Sequence, residues 1–468
     1  MNKILFLLFF AFVFFACSDA ENTSASTNSI DSTNVVALID NNQSQQNWQE
    51  KPFDHIEIPF REYNYNEKKG LRFEMETGTV VDIPANAFED KTGKTVTENV
   101  TVKYREFHSV TDIILSGIKM KYNEGDTTDG NFESAGMFEL RAFKGDEELQ
   151  LRKDKSIKVD LASFKPGNFS HYQMNEGTND WEFIEKKNSR PNTNKQKKIE
   201  ILDQQSEEIK SVCLIEPLAY TDKMEVFDLD YDLKRFSEMT FVNEAMWISV
   251  GDEKEKNELR HSLSGFDDME LKPTDSCNVF QLSVWKKDGI NPVKNKKVFL
   301  VKPVWTGQAL KRVKKNYTNN INLLKKITDE RNVAEREADL WRSFELKGMG
   351  VFNCDRVMDF VKAVAVGLVV TFKDKIKSFF YITNNGSVAI KYYEPYLENF
   401  KFNPNSTNSI IAILPDNKIG IVSESEFAEA FKKYQSNTSS DKKLEVELKS
   451  DNIPVANKKE FEQHAPKF

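Results

Sequence analysis

The residues best suited to chemistry lie in one short run, Gly348 to Arg356, in which two glycines precede Asn-Cys-Asp-Arg. A cysteine thiolate can act as a nucleophile when a histidine base lies beside it. The chain contains five histidines, and His464 is the only one that follows this run. We therefore predict no catalytic residue, and we interpret the run as a turn that closes a strand, with Asp355 and Arg356 paired.

The cysteines allow two interpretations. Three of them, Cys213, Cys277 and Cys354, follow Cys17, so at least one thiol is unpaired if all are exported. Cys277 and Cys354 lie in similar polar sequences, and a disulfide between them is one hypothesis. The alternative is that all three are reduced and behave as small apolar residues. The sequence does not decide, because a disulfide depends on a Cα separation that it does not show.

Charge and histidine content exclude several classes of function. The chain has 65 basic and 73 acidic residues, well mixed, and a formal net charge of −8. No basic stripe emerges, so nucleic acid is not an expected partner. The five histidines are scattered and give no metal-ligand spacing. We therefore expect neither a metal nor another cofactor.

The N-terminus carries an export pattern. An apolar run, Ile4 to Ala16, follows Lys3 and directly precedes Cys17. A basic start, an apolar stretch and a small residue before a cut are the features of a secretory signal. The run is about 13 residues long, whereas a helix needs roughly 20 residues to cross the hydrocarbon core. We therefore predict export over a transmembrane anchor.

The sequence around Cys17 resembles the lipobox of bacterial lipoproteins, in which the cysteine becomes the new N-terminus and carries the acyl chains. Phe14 and Phe15 depart from that pattern, which has Leu and a small residue at these positions. An ordinary signal peptide with an incidental cysteine is the alternative. The resemblance implies a lipoprotein signal peptide over residues 1–17 and palmitate on Cys17. Several acyl chains anchor stably where a single chain does not.

The residues that follow indicate where the anchored protein resides. Ser18, Asp19 and Glu21 resemble the acidic signal of Bacteroidetes-type lipoproteins exported to the cell surface. Ser32 and Thr127 each follow an aspartate, which resembles the O-glycosylation acceptor of exported proteins from such bacteria. These resemblances imply a lipid-anchored outer-membrane protein, at the cell surface or facing the periplasm.

The mature chain has a length typical of about three domains. Residues 18–50 are rich in Asn, Ser, Thr, Asp and Gln, and we predict a disordered linker. Residues 51–185 contain short alternating strands separated by turn signals, as in Val100 to Phe107 and Ile157 to Leu161. Strands of this kind at this spacing predict a β-sandwich domain.

One segment of this domain resembles a known family. The run Gly78 to Phe88, with Ile83-Pro84 at its centre, resembles the opening strand of the β-sandwich in ankyrins and netrin receptors. Glu133 to Glu139 resembles uncharacterised Bacteroidetes-type surface lipoproteins that contain such a domain. The resemblance implies a fold and a binding or scaffold role. Some relatives cleave themselves at His-Phe-Ser, whereas this chain has Phe107-His108-Ser109.

The rest of the chain predicts an α+β architecture. We interpret residues 186–262 as a connecting segment and residues 436–468 as a flexible tail. Residues 263–435 contain several apolar strands and one long helix, from Gly307 to Ser343, with apolar residues at three- or four-residue spacing. The overall fold class is therefore mostly β, α+β, with an N-terminal β-sandwich followed by an α+β domain.

These observations favour a non-catalytic function. We expect a lipid-anchored envelope protein that binds an unknown protein or glycan, or serves as a scaffold, at the cell surface. Its partners would be the membrane, through the lipid anchor, and that ligand. The alternatives are an envelope hydrolase or self-processing protein, with a site assembled from distant carboxylates, and a component of a surface motility or secretion assembly.

Overall fold

The computed structural model describes residues 50–465, with gaps at 125–126, 212–213, 230–241, 243, 287–295, 359–361 and 373–374. It confirms a mostly β, α+β fold with a β-sandwich near the N-terminus and one long helix. Three modules make up the described chain, and we name them the central sandwich, the inserted segment (residues 192–339) and the C-terminal module (residues 362–465). The central sandwich takes the remaining residues.

The first part of the central sandwich is built almost entirely from strands. In chain order its elements are β1 Arg61–Asn64, β2 Leu71–Glu74, β3 Val80–Ile83, β4 Phe88–Glu89, β5 Val100–Phe107, α1 Val110–Ser116, β6 Lys121–Glu124, β7 Thr127–Lys144, β8 Glu147–Glu148, β9 Gln150–Leu151, β10 Ile157–Ser163, β11 Phe169–Asn175, β12 Asp180–Lys187 and β13 Arg190–Pro191.

The inserted segment contains the longest helices. Its elements are α2 Thr193–Ser211, β14 Leu218–Ala219, β15 Met246–Ser249, α3 Glu253–Leu263, β16 Asp268–Pro273, β17 Phe280–Trp285, β18 Lys297–Trp305 and α4 Gly307–Glu335.

Two further sandwich strands and the C-terminal module follow. Their elements are β19 Leu340–Leu346, β20 Gly350–Val357, β21 Val364–Thr371, β22 Ser378–Thr383, β23 Val388–Tyr392, β24 Tyr396–Phe402, β25 Asn408–Leu414, β26 Lys418–Val422, α5 Glu424–Ser436, β27 Leu444–Glu447, β28 Lys449–Pro454 and α6 Lys458–His464.

The central sandwich consists of two facing sheets. One has the strand order β1-β5-β7-β20-β11-β12, and the other has the order β13-β19-β10-β3-β2. Alternate residues of each strand point between the sheets, so Val81, Tyr104, Phe138 and Leu161 are completely buried there. Full burial of a large apolar side chain contributes roughly 1.5–3 kcal/mol, and this core therefore holds the sandwich together.

Strands from two distant parts of the chain complete this sandwich. β20 lies between β7 and β11, with Phe352 opposite Phe138, and β19 lies between β13 and β10, with Phe344 opposite Val159. The sequence-based division ended the sandwich at residue 185 and placed residues 340–357 in a domain over 263–435. This division is corrected, because residues 340–357 belong to the sandwich. Local alternation identifies a strand but carries no information about which sheet receives it.

The inserted segment leaves and re-enters the sandwich at neighbouring strands. Pro191 at the end of β13 pairs with Leu340 at the start of β19. Between them, α2 and α4 pack against each other, and Arg331 Nε donates to Asp203 Oδ1 at 2.6 Å. A sheet of order β14-β18-β17-β16, with β15 beside β18, follows α2 and precedes α4. Residues 186–262, predicted as a connecting segment, thus contribute folded elements.

The long helix differs from its prediction at one end. α4 begins at Gly307, as predicted, but it ends at Glu335 instead of Ser343, because β19 needs the following residues. α2 buries none of its residues, and α4 buries only Ile327 and Ala334. Among the described helices, none combines the length and apolar character needed to cross a membrane.

The C-terminal module contains two sheets and extends into the predicted tail. The sheets have the orders β24-β21-β27 and β23-β22-β25-β26-β28. β27 pairs in parallel with β21, with Leu444 opposite Leu368, and Leu444, Val446 and Phe461 are buried. The expectation of a flexible tail over residues 436–468 is therefore wrong for the described residues, because alternating apolar side chains of this segment fill the core.

The C-terminal module packs against the outer face of the first sandwich sheet. Ile114 of α1 and Phe132 of β7 share one apolar core with Phe380, Ile411 and Phe461 of the C-terminal module. The backbone N–H of Ser134 also donates to the carbonyl of Ser387 at 3.1 Å. Two cavities open along this boundary, and they are the candidates for a functional site.

Candidate functional site

Most residues that the sequence assigned to export and modification lie outside the described part of the chain. These residues are Cys17, Ser18, Asp19, Glu21 and Ser32. Thr127 is the first residue of β7, and its side chain is not described. Their predicted roles therefore stay predictions.

The disulfide hypothesis for Cys277 and Cys354 is contradicted. Cys354 is a free cysteine, completely buried in the sandwich core, whereas Cys277 is disulfide-bonded. Cys354 lies on β20 opposite His171 of β11 and points between the two sheets. Burial raises the pKa of its thiol well above the usual range. A thiolate nucleophile is therefore unavailable at this position.

The run Gly348 to Arg356 is a central strand instead of a closing turn. Arg356 pairs with Glu133 of β7 and not with Asp355, and both its Nε and Nη2 lie 2.8 Å from Glu133 Oε2. Successive side chains of a strand point to opposite faces, which separates Asp355 from Arg356. Asp355 turns towards the C-terminal module, where it joins a buried polar cluster.

That cluster contains Ser134, Asn353 and Asp355. Ser134 Oγ donates to Asn353 Oδ1 at 3.2 Å, and Asn353 Nδ2 donates to Asp355 Oδ2. Asp355 is completely buried, and its Oδ1 has no hydrogen-bond partner within the described residues. Burial raises the pKa of this carboxyl well above its usual range, which favours its neutral form.

A polar cavity of about 740 Å³ opens beside this cluster, and we call it the polar cleft. Its sandwich wall presents Glu133, Lys165 and Arg356. Its other wall comes from turns of the C-terminal module that carry amide and hydroxyl groups, with Glu424 at the start of α5. These lining residues are Asn384, Asn385, Ser387, Pro404, Asn405, Ser406 and Thr407.

The loop that carries Lys165 is fixed by a buried arginine. Arg342 Nη2 donates to the carbonyl of Lys165 at 2.7 Å, and Nη1 donates to that of Gly167 at 2.9 Å. Its Nε donates to Ser163 Oγ at 3.3 Å. Because Arg342 is completely buried and packs over the ring of Phe169, these contacts position the β10–β11 loop before any ligand arrives.

The Lys165 ammonium faces the polar cleft without a counter-ion. It forms no hydrogen bond or ion pair with any residue that the structure describes. Burial lowers the pKa of Lys165 to about 8, and the nearby carboxylate of Glu133 opposes this effect. The lysine is therefore charged at neutral pH but loses its proton far more readily than an exposed lysine.

The opposite wall is equally ordered. The backbone N–H of Asn385 donates to Thr407 Oγ1 at 2.7 Å, and Ser406 Oγ donates to Asn384 Oδ1 at 2.8 Å. Asn384 and Asn385 both have φ of 51°, a left-handed conformation that asparagine tolerates in turns. The exposed carboxamides of Asn385 and Asn405 have no partner in the described part of the chain, so both remain available to a ligand.

A second cavity, of about 680 Å³, lies between α1 and β23. Its walls are mainly apolar and include Ile114, Ile118 and Phe380. At its edge, Lys391 Nζ donates to Glu50 Oε2 at 2.8 Å, and this contact lowers the pKa of Glu50. This cavity offers shape and apolar surface, whereas the polar cleft offers unpaired hydrogen-bonding groups that specify a ligand.

The structure assigns the Phe107-His108-Ser109 run to a helix cap. Ser109 is the N-cap of α1, and its Oγ donates to Asp112 Oδ2 at 2.8 Å. His108 Nε2 instead lies 3.2 Å from Glu106 Oε2, so His108 and Ser109 do not form a base–nucleophile pair. Within the described ranges, no group of three or more His, Cys, Asp or Glu residues could hold a metal ion.

Comparison with known proteins gives no relative: no family model, curated protein or solved structure matches the chain.

The sequence analysis did not predict the polar cleft. The signals present were turn residues alone, Pro166-Gly167, Asn384-Asn385-Gly386 and Asn403-Pro404-Asn405. Each predicts a turn, but their convergence on one cavity depends on the packing of two modules.

Proposed function

We propose that this chain is a lipid-anchored envelope protein that binds a glycan in the polar cleft and leaves it chemically unchanged. Cys17 would carry the lipid and hold the protein at the outer membrane, at the cell surface or facing the periplasm. The observation that carries the proposal is the wall of unpaired carboxamides, Asn385 and Asn405, opposite Lys165 and Arg356. A carboxamide both donates and accepts hydrogen bonds, which suits sugar hydroxyls.

The placement of the carboxyl groups favours binding over hydrolysis. Glycoside hydrolysis uses two carboxyl groups that flank the bond to be cleaved, roughly 5–9.5 Å apart. Glu133 already accepts a hydrogen bond from Arg356 Nε and lies 2.8 Å from Arg356 Nη2, and Asp355 is completely buried. Glu424 lies on the opposite wall at the start of α5. Among the described lining residues, Glu424 is therefore the one carboxylate whose side chain forms no hydrogen bond or ion pair, whereas hydrolysis needs two such groups.

The proposal is tested by titrating the mature chain with purified oligosaccharides in a calorimeter. Asn405→Ala removes one carboxamide from the polar cleft, and an uncompensated hydrogen bond costs about 1 kcal/mol. We expect its dissociation constant to rise about fivefold. Asn319→Ala, on the exposed face of α4, is the matched control and should bind like the wild type.

Two results would contradict this proposal. One is the absence of saturable binding to any oligosaccharide by the folded wild-type protein. The other is turnover of the oligosaccharide that Glu133→Gln abolishes, which would favour the alternative of an envelope hydrolase.

A further inference from the structure

Lys165 is the one cation of the polar cleft that forms no ion pair within the described residues. The charged or titratable groups that face it are Glu133 from β7, Asp355 and Arg356 from β20, and Glu424 across the cleft. Glu133 pairs with Arg356, and burial of Asp355 raises the pKa of its carboxyl and favours the neutral form. The cleft therefore presents a cation that lacks an anion.

A half-buried cation such as Lys165 has two ways to reduce the cost of desolvation. It either releases its proton or acquires an anionic partner. Arg356 also has an available donor. Its Nε and Nη2 both contact Glu133, whereas its Nη1 makes no hydrogen bond within the described residues. Two donors with positive charge are thus left on one wall of the cleft.

We propose that the polar cleft binds an acidic sugar, whose carboxylate pairs with Lys165 Nζ and Arg356 Nη1. This inference rests on the proposed function and specifies the class of glycan. Asn385 and Asn405, on the opposite wall, would bind the hydroxyl groups of the same sugar. Charge-assisted hydrogen bonds are stronger than neutral ones, so the carboxylate would select acidic sugars over neutral sugars of the same shape.

The site is organised in advance for such a ligand. Arg342 fixes the backbone on both sides of Pro166, through the carbonyls of Lys165 and Gly167. Phe169 packs against both Arg342 and Arg356. Binding therefore orders few groups that are not already ordered, which reduces the entropic cost of association.

The low pKa of Lys165, about 8, gives the proposal a pH dependence. Below pH 8 the lysine is protonated and pairs with a carboxylate. Above pH 8 it must first take up a proton, so the affinity for an acidic sugar falls by up to about tenfold per pH unit. A neutral sugar that needs only the amide groups shows no such dependence.

The test compares an oligosaccharide of glucuronic acid with its carboxyl-reduced neutral counterpart, by calorimetry on the mature chain between pH 6.5 and 9.5 (roughly spanning the lysine titration). We expect the acidic probe to bind about tenfold more tightly at the lower pH, with this advantage reduced as the pH rises and Lys165 loses its proton. Lys165→Gln should remove the pH dependence and reduce the advantage to the part that Arg356 supplies. Lys165→Arg should keep it at every pH, because a guanidinium does not titrate in this range.

Control variants distinguish failure of the acidic-sugar inference from failure of the proposed function. Lys401→Gln, an exposed lysine on β24, should behave like the wild type, and an unchanged thermal midpoint shows that Lys165→Gln folds. Equal affinities for the two probes, while Asn405→Ala still weakens binding, would overturn the acidic-sugar inference alone. Binding of neither probe would contradict the proposed function as well. Tighter binding of a polyglutamate peptide than of either sugar would also overturn the inference.

Discussion

A buried arginine without a carboxylate partner has an unusual role in this protein. Each of the three nitrogens of Arg342 donates to an oxygen of the segment from Ser163 to Gly167, and its guanidinium stacks over Phe169. Burial lowers the pKa of Arg342 from its ordinary value, although not enough to deprotonate a guanidinium near neutral pH. Its hydrogen bonds therefore determine where the neighbouring Lys165 lies, and Arg342 acts as a positioning residue.

At the same scale, Cys17 carries the prediction about location. We expect an acyl label, supplied to growing cells as an alkyne-modified palmitate, to appear on the wild-type protein and to be absent from Cys17→Ala. A protease added to intact cells then distinguishes the two orientations, because only a surface-exposed protein is digested. A wild-type protein that takes up no label would contradict lipidation, and Cys213→Ala is the control that should still be labelled.

At the scale of elements, the most consequential strand is β20. Its residues from Val351 to Asp355 are all buried, since both of its faces are covered. One face contributes Phe352 and Cys354 to the sandwich core, and the other contributes Asn353 and Asp355 to the polar cluster. A strand buried on both faces shows no clean alternation of polar and apolar residues, which is why the sequence suggested a turn.

The tail strand β27 gives a stability prediction at this scale. Leu444 is completely buried opposite Leu368, so Leu444→Ala should lower the free energy of unfolding by about 2–5 kcal/mol. Glu445→Ala, on the exposed side of the same strand, should change it by less than about 0.5 kcal/mol. Chemical denaturation measures both values. Equal stabilities of the two variants would mean that the tail does not pack as described.

At the scale of the whole molecule, a sandwich is interrupted by an insertion and supported by a second module. The insertion enters and leaves at paired strands, and Asn192 closes the junction by donating to the carbonyls of Ala338 and Asp339 at 2.9 and 2.8 Å. The polar cleft lies where the sandwich meets turns of the C-terminal module. Its two walls therefore require that these modules stay packed together.

This arrangement predicts that the insertion is dispensable for folding of the rest. Replacing residues 193–337 with two glycines should leave the free energy of unfolding within about 2 kcal/mol of the full chain, because the apolar core of the insertion contains no sandwich residue and exposed ion pairs contribute little. One of these pairs joins Lys198 to Glu74 at 2.7 Å. Circular dichroism and thermal unfolding measure the outcome.

The matched deletion removes residues 340–357, which form β19 and β20 inside the two sandwich sheets. It should abolish folding, since the strands on either side would be left without their hydrogen-bond partners and without part of the core. A glycine-linked protein that fails to fold while this second deletion folds would contradict the topology.

The sequence by itself determined the fold class, the existence of most strands and the first residue of the long helix, because period-two and helical patterns are local consequences of burial on one face. Gly136, in the interior of β7, has φ of 136°, and a Cβ there would lie 3.2 Å from Leu161 Cδ2.

Only the tertiary structure decided which strands share a sheet, which cysteine stays free and which turns meet at the polar cleft. Each of these depends on contacts between residues far apart in the chain. A local pattern specifies that a side chain is buried, but it does not specify the partner against which it is buried.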